Sequence, residues 1–218
     1  LDSTLDGDGE TIIAVGPLWQ AGGLIQVSDR VSSVAIQADG KILLAGNIRY
    51  ESGSNQPSFR GFGIVRVEQD GTLDTSFGVD GRSIISLSPG GDYVESLVVQ
   101  ADGKILVAGY SVFFVGTRNS QIYRHCLIRL NTDGTLDTSF DTDGILVRDG
   151  GGLQGLAVQA DGKIVAATKD GAVRFNADGS LDASFDGDGS ATIRVQWYSE
   201  NFGVALQSDG KILLVGRT

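Results

Sequence analysis

Methionine is absent from the 218 residues, cysteine and histidine occur once each, and there are only three prolines and two tryptophans. A single cysteine excludes an internal disulfide framework and any cysteine-rich zinc site. A single histidine, with no H-E-x-x-H and no G-x-S-x-G, leaves little material for the common hydrolytic machineries. Basic residues are scarce too: 17 Lys and Arg against 27 Asp and Glu give a net charge of −10. That balance argues against nucleic acid, whose binding rests on Lys and Arg neutralising phosphates, and against anionic membrane surfaces. No apolar run approaches the roughly 18 residues of a membrane span, so membrane insertion is not expected. No signal peptide is evident, and a start at Leu1, inside a motif that recurs below, points to a processed or trimmed chain.

What the chain has in quantity is glycine, 32 residues, and repetition. Gln37-Ala-Asp-Gly-Lys-Ile-Leu-Leu44 returns as Gln100 to Val107, Gln159 to Val165 and Gln207 to Leu214. The lysines of these copies, Lys41, Lys104, Lys163 and Lys211, are 63, 59 and 48 residues apart. Interleaved with them are Leu73-Asp-Thr-Ser-Phe77, Leu136 to Phe140 and Leu181-Asp-Ala-Ser-Phe185, with Leu1 to Leu5 as a degraded copy. A third motif, Ile64-Val-Arg-Val67, Leu127-Ile-Arg-Leu130 and Ala172-Val-Arg-Phe175, runs into Asp-Gly each time.

Each unit reads as four short strands. Asp-Gly marks the tight turns, because glycine accepts positive φ and aspartate hydrogen-bonds its own turn backbone. Runs of 4–8 Val- and Ile-rich residues between such turns are an all-β signature, and no segment has a helical period. A step of 48 to 63 residues with four strands fits propeller blades better than the shorter coils of a parallel β-helix. The expectation is an all-β, β-propeller-like array of about four four-stranded antiparallel blades in one domain, 1–218. Its units are approximately 1–30 (partial), 31–92, 93–152, 153–201 and 202–218 (partial). The last blade lacks a third strand, so it is incomplete or closed by the N-terminal strand at Ile12 to Val15. The unpaired edge invites self-association.

These motifs resemble the delta-60 repeat family, a propeller-like bacterial repeat of large secreted or surface proteins. The matching residues are Val94 to Gly109, with Gln-Ala-Asp-Gly-Lys-Ile-Leu-Val-Ala-Gly, and Leu127 to Phe140. The resemblance covers nearly the whole chain. It implies the propeller fold and an extracellular or cell-surface location in a bacterium. It brings no agreed catalytic activity and no functional residue.

The repeated Asp74, Asp137 and Asp182 are expected to cap turn amides, with Arg66, Arg129 and Arg174 as partners for turn carboxylates. A sharper chemistry is offered by Asp6-Gly-Asp8-Gly, Asp141-Thr-Asp143-Gly and Asp186-Gly-Asp188-Gly, which have the D-x-D-G spacing of calcium loops. No Glu follows at the EF-hand distance, and Gly78 replaces the first carboxylate in another unit. No cofactor is therefore required, with calcium as the alternative. Gly150-Gly-Gly152-Leu-Gln-Gly155 matches G-x-G-x-x-G, but a strand rather than a helix should follow it, which disqualifies a dinucleotide site. His125 and Cys126 are adjacent on a strand, so their side chains point to opposite faces and cannot pair.

The parts that differ between units are the remaining candidates. Trp19, Trp197 and Tyr198 lie in connections after fourth strands, and Tyr50, Phe113, Phe114 and Tyr123 in the long connections Asn47 to Arg60 and Tyr110 to Tyr123. Aromatic side chains on loops suit sugar stacking or protein contacts. The leading reading is a non-catalytic binding or interaction scaffold for a protein or glycan ligand. A lectin-type carbohydrate-binding module, with or without calcium, is the runner-up. A glycan hydrolase or lyase using carboxylates in the propeller channel is third.

Overall fold

A computed structural model describes residues 30–50, 59–116, 120–193 and 200–217. It contains fourteen strands among these residues: β1 (Arg30–Ile36), β2 (Ile42–Tyr50), β3 (Phe59–Val67) and β4 (Arg82–Ile85), then β5 (Asp92–Val99), β6 (Ile105–Val115), β7 (Ser120–Leu130) and β8 (Ile145–Asp149). They are followed by β9 (Gly155–Val158), β10 (Ile164–Thr168), β11 (Gly171–Phe175) and β12 (Ser190–Thr192), and by β13 (Glu200–Leu206) and β14 (Ile212–Arg217). Every pairing is antiparallel between neighbours in sequence, giving three four-stranded blades and one two-stranded sheet. The last blade, expected to be incomplete or closed by the N-terminal strand, is two-stranded among the described residues. Ile12 to Val15 lies outside the described residues.

First strands stack in sequence, β1 against β5, β5 against β9 and β9 against β13, whereas β1 and β13 do not pack together in this way. The cores therefore lie between blades. One joins Leu43, Ala45, Phe62, Ile64 and Phe77 of blade I to Val94, Leu97, Ile105, Val107, Cys126 and Ile128 of blade II. The next joins Leu106, Ala108, Leu127 and Phe140 of blade II to Leu153, Leu156, Ile164, Ala166 and Phe175 of blade III. Strand alternation explains this division: in β6, odd residues face blade I and even residues face blade III.

The repeated polar residues clamp the same joints. Asp74 accepts from Arg66 Nε at 2.6 Å, from Lys41 Nζ at 2.7 Å and from the Ser76 amide at 3.0 Å. Asp137 with Arg129, Lys104 and Ser139, and Asp182 with Arg174, Lys163 and Ser184, repeat the arrangement. Burial alone would raise the Asp74 and Asp137 carboxyls. The hydrogen bonds from lysine, serine and arginine prevail and hold both well below the usual carboxylate range. Arg66 and Arg129 also donate to the turn of the following blade, at Thr132 O and Ala177 O, both 2.5 Å, while stacking on Phe77 and Phe140. Phe77 and Phe140 are fully buried, and Phe185 of blade III, which Arg174 stacks on in the same way, is partly exposed.

Candidate functional site

The two ends of the array differ in chemistry. One end carries the Asp-Gly turns and the clamps just described. The other carries the β2–β3 and β6–β7 hairpins and the crossovers between blades, and the units diverge there.

Blade II builds the distinctive surface. Its β6–β7 hairpin stays paired from Ile105↔Leu130 out to Val115↔Ser120, well beyond the core. Cross-strand register places Tyr93 opposite Tyr110 and Tyr110 opposite His125, and Tyr123 lies two residues from His125 on the same face. The Tyr93 and Tyr110 rings are stacked, 4.7 Å between centroids, and Tyr110 and Tyr123 are tilted at 5.8 Å. Arg60 Nη1 of blade I donates to Tyr93 Oη at 2.8 Å. At the open end of the row Tyr123 is 51% exposed. On the opposite face of the hairpin the Arg124 guanidinium lies 5.1 Å from the Phe113 ring centroid and pairs with Asp149 at 2.9 Å.

His125, opposite Tyr110, lines a cleft between blades II and III of about 410 Å³, together with Arg148, Asp149, Lys169, Asp170 and Thr192 among others. The crossover from blade II to blade III runs over the row. A Cβ at Gly150 would stand 1.9 Å from His125 Nε2, and one at Gly152 would stand 3.2 Å from the Tyr110 ring. The glycine run is thus a close-approach device, and the chain continues into strand β9, as expected for a fortuitous G-x-G-x-x-G match.

Titration chemistry in this region is that of packing. Burial pushes the Cys126 thiol up to about 12, against a hydrogen-bonding contact with Ser111, so the thiol is inert as a nucleophile. Cys126 faces the blade I core while His125 faces the cleft, as strand alternation requires. Burial holds the His125 imidazole below its ordinary value and therefore neutral at pH 7. Tyr110 is raised by burial and then by the charge of nearby Glu95, whose own carboxyl is raised by burial.

One expectation needs correction. Phe113, Phe114 and Tyr123 are strand residues, in β6 and β7, and Tyr50 closes β2; none is on a loop. The run Tyr-Ser-Val-Phe-Phe-Val alternates against Gln-Ile-Tyr-Arg-His-Cys, and continuous pairing satisfies their backbone groups better than an open loop would. Phe113 and Phe114 also point to opposite faces: Phe114 shares the face of Tyr110 and Tyr123, and Phe113 lies on the other with Arg124. Tyr93 and Tyr110 were not singled out as site residues; their cross-strand positions were the available signal. Trp19, Trp197 and Tyr198 lie outside the described residues, as do Asp6 and Asp8.

The D-x-D-G turns have a conformational explanation. Asp141 and Asp186 take φ of 43° and 50°, and Gly78 at the same phase takes 57°. The position demands a left-handed residue, which Gly or Asp supplies. Asp143 and Asp188 accept the amides of Ile145 and Ser190, at 2.9 and 2.8 Å. Among the described residues no group of three His, Cys, Asp or Glu is placed to hold a metal ion.

Comparison with known proteins agrees with this architecture. The model of a β-propeller domain of unknown function, DUF5122, matches residues 37–77, 100–140 and 159–185, half of the chain. The chain belongs to the DUF5122 family. In this family member the three matches begin at the first Asp-Gly turn and end at the phenylalanine that closes each clamp. No curated protein sequence matches. Among solved structures the chain is similar to a candidate gluconolactonase (16% identity, TM-score 0.40, covering 84% of this chain and 54% of that one). It is also similar to PorZ, a surface component of the type-IX secretion system of Porphyromonas gingivalis (10%, 0.38, 86% and 25%). A third is a gluconolactonase from Xanthomonas campestris (10%, 0.28, 91% and 96%). The DUF5122 chain spans about half of the first of these and a quarter of the second, and no activity is carried over from any of them.

Proposed function

We propose that this DUF5122 chain is a non-catalytic binding scaffold of a secreted or cell-surface bacterial protein, with its contact surface at the hairpin end of blades I to III. The observation that carries the reading is the row Tyr93, Tyr110 and Tyr123, stacked, tethered to blade I by Arg60 and open at Tyr123. Stacked aromatic side chains on paired strands lose little entropy on binding and bring large apolar area with a polar handle. The inert Cys126 thiol and its separation from His125 favour binding over covalent catalysis. The bacterial surface location rests on the resemblance to delta-60 repeats.

A carbohydrate ligand is the second reading, favoured by an exposed tyrosine face beside a cleft whose lining includes Arg148, Asp149, Lys169 and Asp170. A glycan-array screen, run with calcium and again with chelator, tests it. Hits in one sugar class that Tyr123→Ala weakens at least tenfold support it, and insensitivity to chelator is expected. A blank array removes the sugar and leaves a protein partner. Turnover of a bound glycan, abolished by one Asp or Glu change, would instead establish a carboxylate-based hydrolase or lyase and overturn the non-catalytic reading.

A further inference from the structure

The β6–β7 hairpin of blade II outruns the matching hairpin of blade III. Both start in equivalent register, Ile105 opposite Leu130 and Ile164 opposite Phe175. Blade III turns back at once, with Thr168 opposite Gly171 and only Lys169 and Asp170 between them. Its outer strand β12 is short as well and ends at Thr192, opposite Gly171. Blade II stays paired over residues 110–115, beyond the phase of Thr168. Leu127 and Leu146, cross-strand partners in blade II, pack on blade III. The next pair on the same face is His125 and Arg148, which overhangs the end of the shorter blade. This mismatch in length leaves the cleft between the two blades. Its apolar lining includes Phe175 and Leu181, and Lys169, Asp170 and Thr192 come from blade III. About 410 Å³ lies within the roughly 300–1,000 Å³ usual for small-ligand sites.

The charges in this cleft are selective. A chain of net charge −10 repels anions in general, yet Arg148 from one blade and Lys169 from the other line the same cavity. Asp149 is engaged by Arg124, at 2.9 Å. Arg148 enters no salt bridge among the described residues, although its charge is felt by the Asp141 carboxyl. Burial keeps His125 neutral, so the cationic character comes from Arg148 and Lys169. A guanidinium offers parallel N–H donors that match a planar carboxylate. The Asp170 carboxylate and the Thr192 hydroxyl suit ligand hydroxyl groups, and Leu181 suits the carbon face of a sugar ring. Asp149 and Asp170, with the net negative charge, weigh against a polyanion.

We propose that this cleft binds a uronic-acid unit of a glycan, with its carboxylate on Arg148, Lys169 as the second cation, and its hydroxyls toward Asp170 and Thr192. The proposal rests on the carbohydrate reading above and names its sugar class.

Isothermal titration calorimetry of the full chain in chelator tests this, with digalacturonic acid, its methyl ester and a sulfated disaccharide as probes. The acid should bind at least about tenfold more tightly than the ester, because only the acid engages the guanidinium fork. Its affinity should fall as salt rises from about 20 to about 200 mM, whereas that of the uncharged ester should not. Arg148→Gln should abolish the preference for the acid and leave the ester unchanged. Arg148→Lys keeps the charge but loses the fork, and should retain part of the preference. Lys211→Gln, at the Asp-Gly end, should change nothing. Arg148 and Lys211 are exposed, so the circular-dichroism signal of each variant should match that of the parent chain. Equal binding of acid and ester, both weakened by Tyr123→Ala, would keep the carbohydrate reading and overturn the uronate site. A preference for the acid that survives Arg148→Gln, or tighter binding of the sulfated probe, would also overturn it. Binding of none of the three probes would overturn the site and the carbohydrate reading together.

Discussion

Each repeated aspartate sits where three cationic or hydroxyl donors converge, and the arginine among them carries most of the consequence. Arg129 is nearly buried, holds Asp137, stacks on Phe140 and reaches the carbonyl of Ala177 in the next blade. Arg129→Ala removes all three contacts and leaves the buried Asp137 carboxylate to Lys104 and Ser139 alone, so it should cost about 2–3 kcal/mol in urea denaturation. Lys104→Ala touches only the solvent-facing side of the cluster and should cost no more than about 1 kcal/mol. The same carboxylates set the acid limit. A carboxyl whose folded pKa is depressed contributes stability that is complete above its unfolded value, about 3.9, and is lost as pH falls below it towards the folded value. Stability should therefore fall below pH about 4, and the fall should be shallower in Arg129→Ala. These residues were legible as structural from the sequence, because each occurs once per unit in fixed order. Their reach into the next blade was not legible: a repeat pattern shows periodicity within the chain but not which neighbouring unit a side chain touches.

At the scale of the strand, a glycine within the second strand of three units is tied to a bulge in the first. Register shifts occur at Val31/Ser33, Val94/Ser96 and Asn201/Gly203, in the units that carry Gly46, Gly109 and Gly216. Blade III has Thr168 at this phase and pairs without a shift. The bulge brings the first-strand backbone over the glycine: a Cβ at Gly109 would lie 1.8 Å from Tyr93 O. Gly109→Ala should therefore destabilise by about 2–3 kcal/mol, by displacing the strand that carries Tyr93. Gly151→Ala, where a Cβ meets nothing within 4 Å, should change stability by less than about 0.5 kcal/mol. Thermal melts of the two variants decide the point. The Val and Ile runs and their Asp-Gly turns located β5, β6, β10 and β11 from sequence. The β6–β7 hairpin was read as a loop because its polar residues, Ser111, Gln121 and Arg124, mask an alternation that only cross-strand pairing reveals.

For the whole molecule, the period of the motifs carried the blade architecture, since four strands per unit with short turns leave few alternatives. The surface that distinguishes this DUF5122 chain from a plain array was hidden. It is assembled from residues as far apart as Arg60, Tyr93, Tyr110, Tyr123 and Lys169, and a sequence offers no signal for such convergence across three blades. The central claim is that binding occurs at this end and not at the Asp-Gly end, where the three four-stranded blades present the same structural clamp. Amide hydrogen exchange of the chain, with and without the ligand selected by glycan or protein screening, tests it directly. Protection over residues 92–93, 110–115, 120–125 and 148–151 is the predicted result. Protection confined to the Asp-Gly turns at 38–41, 101–104 and 160–163 would contradict it.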